Sequence, residues 1–233
     1  MRPWSPISID DCGEPLQPLP PALLRMEPHP YMELGAPYGA SGNPFQLRHG
    51  VVQRLLNAQQ RLMDHDPSLR LSIFDAWRPI AVQAFMVDHS IAELCRERGV
   101  DTRSGDAFDR VVDDVGRFWA PPSRDTATPP PHSTGAAVDL TLSSSDGTPL
   151  AMGGEIDAIG AVSEPQHYAG REESDARCWH QRRQLLAGVM EAAGFAQHPN
   201  EWWHYSFGDQ LWAWRTGAEV AIYAEAVNSA LTS

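Results

Sequence analysis

His132-Ser-Thr-Gly135-Ala-Ala137-Val-Asp139-Leu-Thr-Leu142 is the stretch that decides the fold. The run from Ala137 to Leu142 is apolar enough for an inner strand, yet Asp139 lies in its middle. A carboxylate there is costly to bury unless it is paired or bound to a metal. Upstream, Pro121 to Pro131 can be neither a helix nor an inner strand. It forms a stiff loop that delivers the chain to His132, and Gly135 lets the backbone turn before the strand begins. Far downstream, Glu201-Trp-Trp-His204 supplies a second imidazole and a spare carboxylate. His132, Asp139 and His204 make three ligands with an open fourth position, the arrangement of a catalytic zinc site. Glu201 is the group such a site needs as a base for water. Residues three apart on a flat strand face opposite ways, so Glu201 is expected on a bend at a strand end.

The rest of the chain reads outward from that strand. Val51, Val52, Leu55, Leu56 and Leu62 mark one face of a helix ending near Asp66-Pro67. Leu69 to Trp77 alternates as a strand with Leu69, Leu71 and Ile73 on one side. Pro79 opens a second helix that runs to about Arg98-Gly99. Residues 143 to 175 read as a long irregular stretch, which in a compact domain is usually functional. Ala176 to Ala193 is a helix closed by Gly194. Trp202 to Phe207 and Leu211 to Trp214 read as strands turning at Gly208-Asp209, and Ala218 to Leu231 as a final helix. The expected fold is one α+β domain: a central, mainly antiparallel sheet with flanking helices and long active-site loops. Residues 1 to 48, rich in proline and glycine, form an extended arm packed on a catalytic domain of residues 49 to 233.

Composition narrows the function. A net charge of -12 and a pI near 5.1 argue against nucleic acid and against an anionic membrane surface. The three cysteines, Cys12, Cys95 and Cys178, are widely spaced and odd in number, which favours a reducing compartment over a disulfide framework. With no leader-like start and no membrane-length apolar run, the expected location is cytoplasmic.

His-x-x-Gly-x-Ala-x-Asp at 132 to 139, followed by Glu-x-Trp-His at 201 to 204, resembles the zinc D-alanyl-D-alanine dipeptidases known from vancomycin resistance. Asp75-Ala-Trp-Arg78-Pro79 is similar to that family's Asp-x-Tyr-Arg-Pro, and Met152-Gly-Gly-Glu-Ile-Asp157 to its Met-Gly-x-x-Phe-Asp. The likeness spans roughly residues 70 to 210. It implies Zn2+ on His132, Asp139 and His204, with Glu201 as general base and proton carrier to the leaving amine. It implies Arg78 as oxyanion donor and Asp157 as the acceptor of the substrate's free ammonium. The substrate implied is a small D,D-dipeptide, as part of cell-wall peptidoglycan metabolism. The sequence departs from the family at Pro130, where Ser is common, and at Trp77, where Tyr is usual. Its rivals are a D,D- or L,D-carboxypeptidase on peptidoglycan peptides and a non-catalytic binding module that keeps the zinc fold. Both Glu201 and Arg78 are present, which counts against the latter. Trp119, with residues 119 to 131 and 31 to 45, is expected to cover a small closed pocket that excludes longer chains. Oligomeric state and native metal stay open.

Overall fold

In the computed structural model, which describes residues 2–39, 42–101 and 103–226, the arm comes first. It holds β1 (Ser8–Ile9), β2 (Leu16–Pro18), β3 (Leu24–Arg25), the short helix α1 (Pro30–Glu33) and β4 (Gln46–Arg48). There follow α2 (His49–His65), β5 (Leu69–Asp75), α3 (Ile80–Arg98), α4 (Asp106–Phe118), β6 (Ala137–Ser144) and α5 (Ser174–Ala192). The chain ends, within the described residues, with β7 (Ala196–Gln197), β8 (His204–Ser206), α6 (Gln210–Thr216) and β9 (Val220–Ala221).

The main sheet has five strands in the order β3-β5-β6-β8-β7. Its pairings are antiparallel except β3 with β5. On one face Leu71, Ile73, Val138, Leu140 and Leu142 meet Val51, Val52, Leu55 and Leu62 of α2 and Leu186, Val189 and Met190 of α5 in one apolar core. The period of α2 read from sequence is the face it buries. Near the other face a second cluster joins Val82, Met86 and Cys95 of α3 to Val111 and Val115 of α4, with Tyr31, Tyr38 and Trp119.

Register places the chemistry. Asp75 of β5 stands opposite Asp139 of β6, and Asp139 opposite His204 of β8. Directly opposed residues in antiparallel strands share a face, so three polar side chains line up across the sheet. Asp75 reaches that face through a bulge: β5 advances from Ile73 to Asp75 while β6 moves only from Leu140 to Asp139. Were β5 regular here, Asp75, two residues beyond Ile73, would fall on the face of Ile73.

Several expectations need correction. Leu211 to Trp214 is helix α6, not a strand, because the Asp209 side chain accepts from Trp212 N at 2.8 Å and caps a helix there. Ala218 onward is not helical within the described residues: β9 pairs in parallel with β1, and residues 227–231 of the expected helix lie outside them. The sequence reading places no helix over α4, although Phe108, Val111, Val115 and Phe118 recur at helical spacing and pack into the second cluster. The arm has no core of its own. β3 extends the main sheet, β2 pairs with β4, and Leu19, Leu23, Phe45 and Leu47 join the main core.

Gly135 closes the turn after His132 at φ +71, and a Cβ there would meet Leu16 Cδ2 at 2.3 Å. Gly135→Ala is expected to lower stability by about 1–2 kcal/mol, the left-handed penalty of a non-glycine residue, read as an earlier urea midpoint.

Candidate metal centre and active site

His132 sits in a single turn of 3-10 helix, Pro131–Thr134, at the end of the proline loop. Asp139 and His204 come from paired strands, and Glu201 from the bend just before β8. Trp202 N bonds to the Ser163 carbonyl at 2.9 Å, tying that bend to the long loop after β6. Glu201 thus lies off the strand, as the spacing required.

His132 Nε2 is 3.1 Å from Asp139 Oδ2, His204 Nδ1 is 3.0 Å from Asp139 Oδ1, and the two ring nitrogens are 3.2 Å apart. Ligands about 2.0–2.1 Å from a tetrahedral Zn2+ are separated by about 3.3 Å. The three atoms therefore stand close to the edge lengths of such a site. Asp139 Oδ1 is buried with no hydrogen bond, an orphan that a cation would satisfy. His132 Nδ1 lies 2.7 Å from the Ala76 carbonyl. A carbonyl only accepts, so that nitrogen carries the proton and Nε2 keeps its lone pair for a metal. His204 Nε2 is 3.3 Å from Ser206 Oγ, which leaves Nδ1 facing the site. Burial alone would raise the Asp139 carboxyl, but His132 and His204 hold it far below the usual carboxylate range. The set fits zinc. Stripping the protein with a chelator is expected to lower its melting temperature. Restoring free zinc to a hundred times Kd should return about 2.7 kcal/mol. His204→Ala should abolish this zinc-dependent shift.

Around the triad lie two further acids, Glu201 and Asp157. Glu201 Oε2 is 3.6 Å from His204 Nδ1, and its Oε1 is 3.5 Å from His198 Nδ1. Burial, then the nearby Asp139 and Asp157, push its carboxyl well up. A buried carboxyl with raised proton affinity is suited to accept a proton from water. Asp157 adopts φ 65 and accepts from Tyr31 OH at 2.7 Å. Burial, with Asp139 next, raises it to about 7.

Arg78 is held from several sides. Its Nε and Nη2 donate to Asp75 Oδ2 at 2.9 and 2.7 Å, and Nη1 to Gln83 Oε1 at 2.9 Å. Nη2 also lies 3.3 Å from Asp139 Oδ2. The pairing with Asp75 and an orientation toward the metal centre are both present. Asp75 in turn meets His29 Nε2 and Tyr38 OH, each at 3.1 Å. Although burial opposes it, Arg78 first, then His29 and His132, bring the Asp75 carboxyl down to about 2.

One cleft is walled by His132, Asp139, His204, Glu201, Arg78 and Asp157, so every site residue read from the sequence converges. Trp119, Ala120 and Pro131 form part of the wall, as expected of the proline loop. The described residues of segment 31 to 45 do not line it; Tyr31 stands behind Arg78, and Arg2 and Trp4 complete the wall. His198 also faces the cleft, and burial keeps its ring neutral by lowering its pKa well below normal. Its position three residues before Glu201 was the available signal. His29 and Tyr38 had none, since they lie in an arm without periodicity.

The chain matches the Peptidase_M15 family, described as D-ala-D-ala dipeptidase, over residues 25–222. It is 44% identical over 224 residues to a D-alanyl-D-alanine dipeptidase of Synechocystis sp., covering 92% of this chain and 90% of that protein. A D-alanyl-D-alanine dipeptidase of Streptomyces coelicolor is 39% identical over 80 residues, 34% of this chain and 37% of that protein. A vancomycin-resistance D,D-pentapeptidase solved in complex with Zn(II) aligns over 94% of this chain and 96% of its own, at 14% identity and a TM-score of 0.48.

Proposed function

The chain belongs to the D-Ala-D-Ala dipeptidase family of M15 peptidases, and from that premise we propose that it is a zinc-dependent dipeptidase hydrolysing D-alanyl-D-alanine, or a similar small D,D-dipeptide, to two free amino acids. The observation that carries this reading is the convergence of a buried base, Glu201, on the His132–Asp139–His204 triad in a narrow cleft. When bound, zinc supplies Lewis acidity to the scissile carbonyl and to water.

The chain's own residues supply the rest. Glu201 takes a proton from water as its oxygen bonds to the carbonyl carbon. Arg78 Nη2, held by Asp75 on one side, stabilises the charge that develops on the carbonyl oxygen. Glu201 then delivers its proton to the leaving nitrogen as the C–N bond breaks. Asp157 receives the substrate's ammonium. Burial, with Asp139 next, raises its carboxyl, and a bound ammonium would favour the ionised form.

The wall of Trp119 to Pro131 supports a dipeptide over a longer peptide, and so a dipeptidase over a carboxypeptidase. No helix among the described residues is long and apolar enough to cross a membrane. The three cysteines are unpaired, which supports a reducing, cytoplasmic location and a role in handling soluble cell-wall dipeptides.

The test is amino-acid release by zinc-loaded protein from D-Ala-D-Ala, L-Ala-L-Ala and a tripeptide ending in D-Ala-D-Ala. Release from the D,D-dipeptide alone is expected. Efficient cleavage of the tripeptide would sink the closed pocket, and no release from any would sink the substrate. Asp157→Asn is expected to raise KM for D-Ala-D-Ala by about 10- to 100-fold, the worth of a lost charged hydrogen bond, with a smaller change in kcat.

A further inference from the structure

A dipeptide is a zwitterion, and Asp157 answers only its ammonium. Two guanidinium groups reach the cleft, those of Arg78 and Arg2. Arg78 is committed to Asp75, Gln83 and the metal side of the cleft. Arg2 is not. Its Nη1 donates to the Arg117 carbonyl at 3.0 Å, and its Nη2 to the carbonyls of Gly116 and Trp119 at 2.9 Å each.

Those carbonyls belong to the end of α4, where a cation is favoured. They use three of the five guanidinium hydrogens, leaving Nε–H and one on Nη1. They leave its charge without a carboxylate: among the described residues no acid forms an ion pair with Arg2, while other arginines of the chain have one. A partly buried cation without an anion is costly. In keeping with this, burial lowers the pKa of Arg2, with Glu201 alone opposing it.

Position adds direction. Arg2 lies over the Trp4 ring, Trp4 packs on His198, and His198 Nδ1 is 3.5 Å from Glu201 Oε1, whereas Asp157 is held by Tyr31 beside Arg78. The two groups are therefore held by different walls of the cleft. Glu201 hands its proton to the leaving amine, so the departing residue, which carries the carboxylate, lies at the Arg2 end. The segment is anchored there: Trp4 packs edge-on against His198 at 5.6 Å and at a tilt against Trp214 at 5.5 Å.

We propose that Arg2 is a specificity residue that receives the substrate's C-terminal carboxylate and, with Asp157 at the other end, restricts the cleft to molecules two residues long. This rests on the dipeptidase reading. The test uses zinc-loaded wild type, Arg2→Gln and Arg2→Lys. The glutamine keeps amide donors for the α4 carbonyls without the charge, and the lysine restores the charge.

KM and kcat are measured for D-Ala-D-Ala and D-alanyl-D-alaninamide. Binding of the reduced-bond (CH2–NH) analogue of each is measured by calorimetry. Wild type is expected to prefer the free acid by about 10- to 100-fold in KM and Kd. Arg2→Gln should lose that preference by weakening the acid alone, with kcat little changed, and Arg2→Lys should regain part of it. An undiminished preference in Arg2→Gln overturns the assignment while leaving the dipeptidase standing. Equal weakening of acid and amide would mean that Arg2 only braces α4, and also overturns it. Wild type that neither cleaves nor binds either compound overturns both readings.

Discussion

Glu201→Gln is expected to lower kcat by about 10²- to 10⁴-fold, the usual contribution of a positioned acid–base group. Zinc stoichiometry and fold should be unchanged. The substitution keeps the shape of a side chain that is 6% exposed and in which both oxygens face imidazoles. In the proposed mechanism it removes the group that takes a proton from water and carries it to the departing nitrogen. KM should move little, because the proposed contacts to the substrate's charged ends are made by Asp157 and Arg2. Kinetics beside metal analysis decide the matter: kcat within tenfold of wild type with zinc bound would mean that another group is the base.

Asp75→Asn is expected to destabilise the protein by about 3–5 kcal/mol, the cost of removing one partner of a buried ion pair. Asp75 is fully buried and accepts from Arg78 twice, from His29 and from Tyr38. Asparagine can accept at one atom only, so the Arg78 guanidinium, itself 4% exposed, keeps its charge and loses the nearer of its two counter-charges, with Asp139 left at 3.3 Å. The urea midpoint of zinc-loaded protein reads the loss. The double variant Asp75→Leu with Arg78→Met should recover much of that stability, because two apolar side chains replace a pair whose desolvation is costly. It should have no activity. A double variant no more stable than Asp75→Asn would mean that the cost lies in packing, not charge.

Much of this site was legible before any coordinates. Asp139 betrayed itself as a carboxylate in an apolar strand, and Glu201 as an acid that could act only from a bend. Such signals are local: they depend on neighbours within a few residues, and periodicity carries them. α2, α3 and α5 were legible for the same reason, with Asp66, Gly99 and Gly194 closing or ending them. The error at Leu211 to Trp214 was also local, since alternating apolar residues over four positions suit strand and helix alike and the Asp209 cap decides between them.

Composition and local pattern thus pointed to the candidate ligands and the candidate base, and determined the main helices and the central strands. Tertiary pairing decided what those groups stand beside. Asp75, Asp139 and His204 are level because three strands pair in one register, and a single bulged residue turns Asp75 toward them. His29, Tyr31, Tyr38, Arg2 and Trp4 reach the site from an arm whose own sequence has no period. Their places come from long-range contacts with Asp75, Asp157, α4 and His198. A chain read locally carries the energy of its own turns and faces; pairings between segments far apart along it arise only when those segments compete for the same partners in the folded molecule.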